Sequence, residues 1–160
     1  MKYQLSLLSI NVCNSRFAWL VLPIILLPLC LGCGDGRETR VPVSGMVTVD
    51  GEPLKYGSIT FMPVKTPGAA SRPGGGSLED GRFSVSSYTA NDGLLKGKYE
   101  VMVNAIEPMG ETSQRWHAPK KYANMKTSGL TLDVSGPVED LKFDLSWEGE
   151  KHSKPFVEKF

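Results

Sequence analysis

Val43-Ser44-Gly45-Met46-Val47-Thr48-Val49-Asp50-Gly51-Glu52-Pro53-Leu54-Lys55-Tyr56-Gly57-Ser58-Ile59-Thr60-Phe61-Met62-Pro63 is the stretch whose reading decides the fold. Val43, Val47 and Val49 alternate with Ser44, Met46 and Thr48, a period of two that sends one set of side chains to a buried face. Asp50-Gly51 breaks the run, and this pair tolerates the positive φ angles of a tight reversal. Ile59 and Phe61 then resume the alternation among Ser58, Thr60 and Met62. Pro53 has no N–H to give a ladder, so the segment just after the turn does not continue as a central strand. The stretch reads as strand, turn, strand, with one face buried.

Downstream residues repeat the pattern. Lys65 to Gly76 collects Pro67, Gly68, Pro73 and three successive glycines, and is expected as an exposed loop. Ser77 to Ser86 predicts a second hairpin around Asp80-Gly81, with Phe83 and Val85 inward. Gly97 to Ala105, with Tyr99, Val101, Val103 and Ala105 on one side, predicts a central strand. Glu107 to Thr127 has no strand period and is expected as a long excursion. Leu130, Leu132 and Val134 share a face. Leu141, Phe143 and Leu145 share another, and Trp147 continues that inward register. About seven strands and no helix of convincing length make the chain all-β, and the short strands with Asp-Gly and Gly-Pro punctuation favour a β-sandwich over a barrel. Residues 148–160 are expected as a charged, frayed tail.

The N-terminal quarter differs in composition. Phe17 to Leu31 is almost wholly apolar, but 15 residues span only about 22 Å as a helix, short of the roughly 20 residues a membrane span needs. A signal-peptide core over residues 1–32 fits better, followed by the glycine-rich tether of residues 33–40. Cys13 and Cys30 fall inside the leader, so Cys33 is the only cysteine after it and no internal disulfide can form there. Leu31-Gly32-Cys33 resembles the lipobox of bacterial lipoproteins, in which the cysteine receives a diacylglyceryl group and becomes the new N-terminus. Cleavage before Cys33 removes Lys2 and Arg16 and leaves 128 residues with 16 Lys/Arg against 17 Asp/Glu. No basic field remains to attract nucleic acid. The expected location is the bacterial envelope, with a membrane held through lipid on Cys33.

Several motifs together resemble the carboxypeptidase regulatory-like family. They are Val-x-Gly-x-Val-x-x-Asp-Gly-x-Pro-Leu (43 to 54), Gly-x-Ile-x-Phe-x-Pro (57 to 63), Asp-Gly-x-Phe (80 to 83) and Gly-x-Tyr-x-Val-x-Val (97 to 103). The resemblance covers about residues 41–146, within a domain expected over residues 41–147. It implies a seven-stranded transthyretin-like (prealbumin-like) Greek-key sandwich with accessory or structural duty. Leu95-Lys96-Gly97-Lys98-Tyr99 resembles the tyrosine corner of such sandwiches, whose hydroxyl bonds backbone a few residues upstream.

Residue constellations that would specify a reaction are missing from the sequence. The chain ends Pro155-Phe156-Val157-Glu158-Lys159-Phe160 rather than in the Tyr-Arg-Gly-Ser of the hydroxyisourate hydrolases that share the fold. Zinc needs three or four converging ligands, and His117 and His152 are the only histidines. No Gly-x-Ser-x-Gly turn occurs, and the Gly-Gly-Gly run lacks the Gly-Lys-Ser/Thr end of a phosphate loop. Glu79, Asp80, Asp92, Glu139 and Asp140 are turn carboxylates without the alternating spacing of a calcium loop. The leading expectation is therefore a non-catalytic module without cofactor, binding an envelope protein or polysaccharide. Arg115, Trp116, His117 and Tyr122 in the long excursion are its candidate contact residues, because exposed Trp, Tyr and Arg dominate binding hot spots. A carbohydrate-binding module is one alternative. The other is a metal-assisted enzyme, which requires His117 and His152 to meet near acidic residues.

Overall fold

The computed structural model describes residues 38–64 and 72–160. The apolar leader, Cys33 and residues 65–71 lie outside them. In chain order the strands are β1 (Val43–Val49), β2 (Glu52–Pro53), β3 (Ser58–Pro63), β4 (Gly74–Ser77), β5 (Arg82–Ser84), β6 (Gly97–Asn104), β7 (Ile106–Pro108), β8 (Ser113–Trp116), β9 (Leu130–Val134), β10 (Val138–Leu145) and β11 (Phe156–Lys159). One turn of 3-10 helix (Lys120–Ala123) and the short helix α1 (Met125–Ser128) connect β8 to β9. The protein is all-β.

Three sheets form. In the first, β1 lies between a parallel neighbour, β10, and two antiparallel ones, β2 and β5. The second has the order β4-β3-β6-β9 and is antiparallel throughout. Alternation drives the inward faces of these two sheets together. The Phe61 ring of β3 lies 5.9 Å from Phe83 and 6.3 Å from Phe143 on the facing sheet. Val47, Ile59, Phe61 and Val101 are completely buried between them, and each such side chain contributes about 1.5–3 kcal/mol relative to leaving it in water.

The opening stretch behaves as its residues dictate up to the turn. Asp50 (φ 48°) and Gly51 (φ 87°) reverse the chain, and Val49 pairs with Glu52. β2 stops at Pro53, and the chain then crosses, so that β3 enters the opposite sheet. Asp80-Gly81 makes the second reversal, with Glu79 and Arg82 exchanging both backbone hydrogen bonds at 3.0 and 2.9 Å. Its arms diverge as well: β5 joins β1 whereas β4 joins β3.

Four expectations require correction. Gly74–Ser77 is a strand and not part of an exposed loop. Its glycines, which by composition signal a loop, admit a tight passage: Gly75 bonds Ser86 in both directions while β3 presses from the other side. A Cβ on Gly76 would stand 2.3 Å from the Ser84 carbonyl oxygen. Second, the excursion from Glu107 contains the antiparallel pair β7–β8, so only its remainder is irregular. Third, the tail is not frayed at its end. Phe156–Lys159 pairs with β8 over four residues to complete the third sheet, of order β11-β8-β7. The tether also ends sooner than expected. The Arg40 guanidinium sits 4.1 Å from the Tyr88 ring centre and pairs with Asp92 at 3.6 Å, and Val41 bonds Leu94 in both directions.

The tyrosine corner is present. Tyr99, 4% exposed, donates its hydroxyl to the Leu95 carbonyl at 2.8 Å, and burial raises its pKa. Tyr99→Phe is expected to destabilise the domain by about 1–3 kcal/mol, because the Leu95 carbonyl then loses its partner. Equal urea midpoints for the two proteins would show that the bond contributes nothing.

Candidate functional site

The third sheet and the strap that leads to it, residues 147–155, bring together most of the chemistry-bearing side chains. Trp116 on β8 lies nearly parallel to Phe156 on β11 (centroids 6.5 Å apart, 15° between planes), a consequence of their being register partners. His152 stacks on Phe156 at 3.8 Å, and Trp147 meets the same ring edge-on at 6.1 Å. Lys120, from the 3-10 turn, places its ammonium 5.1 Å from the Trp116 ring centre.

Glu158 ties this cluster down. It accepts from the Trp116 indole N–H at 2.9 Å and from the Gln114 amide at 3.0 Å, and it pairs with Lys120. Those donors, Lys120 foremost, then Trp116 and Gln114, hold its pKa down at about 2. A carboxylate with three donors is a fastener: its oxygens are already occupied, which leaves little capacity for a ligand.

The sequence-derived contact residues are brought together, but not as an exposed loop. Trp116 and Tyr122 are each 8% exposed. Tyr122 belongs to the main core, and its hydroxyl accepts from the Ser146 N–H at 3.2 Å. The exposure that a stacking platform for sugars or a protein hot spot needs is absent at both. Arg115 and His117 are more open, and both turn to Glu107, at 3.4 and 2.9 Å. These contacts, that from His117 first, lower the Glu107 pKa. His152 belongs to the Phe156 stack, and among the described residues no three His, Cys, Asp or Glu side chains converge as metal ligands would. Cys33 lies outside the described residues.

A concavity on this side was not signalled by the sequence. It is a cleft of about 410 Å³ between the β1–β2 turn and the strap. Val49, Pro53, Leu54, Trp147 and Pro155 supply its apolar walls, and Asp50, Glu52, Lys55, His117, Ser153 and Lys154 its polar rim. Its volume falls within the range of small-molecule pockets. Asp50 also builds the cleft. One of its oxygens accepts from the Ser146 hydroxyl at 2.7 Å and from the Trp147 N–H at 3.4 Å, so the turn residue holds Trp147 in place. The walls come from two segments far apart in sequence, with His117 on the rim from a third, and none shows a local pattern that marks a site.

No family model, no curated protein and no solved structure matches the chain.

Proposed function

We propose that the chain is an envelope-anchored lipoprotein whose β-domain is a non-catalytic binding or structural module. In this reading residues 1–32 are a signal peptide and Cys33 carries the lipid. The domain is of the transthyretin-like, carboxypeptidase regulatory-like kind. Its seven Greek-key strands would be β1, β3, β4, β5, β6, β9 and β10, with the third sheet added at one end. The facing sheets and the Tyr99 corner support the sandwich, and the Leu31-Gly32-Cys33 tripeptide after an apolar run supports the anchor. No helix among the described residues is long and apolar enough to cross a membrane.

The observation that carries the binding role is the cleft between the β1–β2 turn and the strap, a concavity already formed on hydrogen-bonded strands. Such preformation lowers the ordering cost of association. The partner is an envelope protein, a polysaccharide or a smaller ligand. An enzymatic alternative draws on the Glu107–His117 pair beside this cleft, which could move a proton if a substrate reached it.

Two acyl chains at about 0.8 kcal/mol per buried CH₂ anchor a protein stably. The expected result is thus a mature N-terminus at Cys33 bearing a diacylglyceryl group, read by mass spectrometry of the protein purified from membranes. An unmodified Cys33, or a chain that still starts at Met1, overturns the anchor.

A further inference from the structure

From the chemistry of the cleft walls and rim we infer that the site between the β1–β2 turn and the strap binds a zwitterion with an apolar body, of the class of short apolar peptides. The inference deepens the binding-module reading and rests on it.

Four features of the cleft converge. Its floor is apolar but small: Leu54 and Trp147 are 3% and 6% exposed, so they offer shape and a dry wall and not a broad sticky surface. A ligand that gains there must bring its own apolar group to the wall, where each buried CH₂ is worth about 0.8 kcal/mol. Both signs of charge stand on the rim. Lys55 and Lys154 face the cleft from opposite walls, and neither is in an ion pair or hydrogen bond within the described residues. Glu52, on the turn, is likewise unengaged there.

The remaining rim groups are only partly committed. His117 is bonded to Glu107, and one oxygen of Asp50 accepts from Ser146 and Trp147, while its other oxygen and the Ser153 hydroxyl are unengaged within the described residues. What the cleft leaves available is two ammonium groups, the Glu52 carboxylate and one oxygen of Asp50 around an apolar wall. A simple anion would meet Glu52 and a simple cation would meet the lysines, each at a cost, whereas a zwitterion satisfies both signs. The volume of about 410 Å³ suits two or three apolar residues better than a single small amino acid. The neighbouring Lys120, Glu158 and Glu150 do not compete for the ligand: Lys120 pairs with Glu158, and Lys121 pairs with Glu150 at 3.4 Å.

The test is isothermal titration of the full chain in lipid nanodiscs with the dipeptide Leu-Phe, against its N-acetylated and C-amidated forms, with empty nanodiscs as the blank. Leu-Phe is expected to bind one to one, and each blocked form about three- to tenfold more weakly, the range of a partly exposed charge contact. Glu52→Gln is expected to shrink the penalty for acetylation and leave that for amidation as it was. Lys55→Gln with Lys154→Gln is expected to abolish the penalty for amidation alone. All three side chains are exposed, so these variants should keep the wild-type melting temperature, which differential scanning calorimetry checks. Equal affinity for blocked and unblocked peptide, penalties that are unchanged in the variants, or no saturable binding overturns the assignment. A negative titration with a lipid-modified Cys33 leaves the anchor reading intact. Peptide that binds and is recovered cleaved supports the cleft as the site and overturns the non-catalytic reading.

Discussion

A chain ended after Pro155 should unfold at clearly lower urea than the full protein, with a loss of about 2–4 kcal/mol, somewhat below the range for deleting a fully buried aromatic because Phe156 is half-buried. Four residues of β11 pair with β8, and their removal uncovers Trp116, now 8% exposed, and Trp147, now 6% exposed. The indole N–H of Trp116 would also lose Glu158, and Lys120 its counter-charge. The measurement is a urea denaturation followed by tryptophan emission, and the truncated protein should also emit at longer wavelength before unfolding. An unchanged midpoint would mean that the domain closes at Trp147, the boundary that the period of the sequence suggests. The strap would then be an appendage to a core complete without it.

Gly76→Val should be of similar or greater effect. A Cβ there lies 2.3 Å from the Ser84 carbonyl oxygen and 3.2 Å from its carbon, both backbone atoms, so relief requires β4 and the end of β5 to separate. Overpacking of this kind typically costs about 1–3 kcal/mol where a side chain can move aside, and more where only backbone can. The mutual hydrogen bonds between Gly75 and Ser86 would be strained or lost as well. Thermal unfolding by circular dichroism checks it, with a drop of roughly 10 °C or more for a domain of this size. A melting temperature within a few degrees of wild type would show that the two segments are not held together as described. Gly136→Val is the control, since a Cβ there meets nothing within 4 Å.

How far the sequence foretells these elements depends on whether their neighbours are near or distant. Where one face is buried along a whole strand, the pattern is visible: Val43–Val49, Gly97–Asn104, Leu130–Val134 and Leu141 to Leu145 are all strands. The Asp50-Gly51 and Asp80-Gly81 turns follow from local backbone preference alone. Gly74–Ser77 is invisible to both signals, because what makes it a strand is the closeness of Ile59 and Ser84 and not any property of three glycines. β7, β8 and β11 are three or four residues each, and β11 meets β8 only after some 40 intervening residues. Phe156, Val157, Glu158 and Lys159 are too few to establish a period.

The same distinction governs the candidate site. Trp116, His117 and Tyr122 stand out by type, and they do lie in one region. Their burial depends on Phe156 and on the main core, which composition does not reveal. The cleft was illegible because Leu54, Trp147 and Lys154 are far apart in sequence and come together only through the β1–β2 turn and the returning strap.

The parallel pairing of β1 with β10 also sets the order in which the molecule can come into being. Val43 finds its partner at Val138 and Val49 at Leu145, so the first strand off the ribosome waits for one of the last. Until Leu145 has emerged, β1 has an unfilled edge and Phe61 lacks Phe143 on the facing sheet. Contacts of such long sequence separation must meet their loop-closure entropy before they are rewarded, which places folding in the slow range of all-β domains, milliseconds to seconds. The first sheet therefore cannot be completed before Val138–Leu145 has been made, and the core between the two sheets closes only with β10 in place.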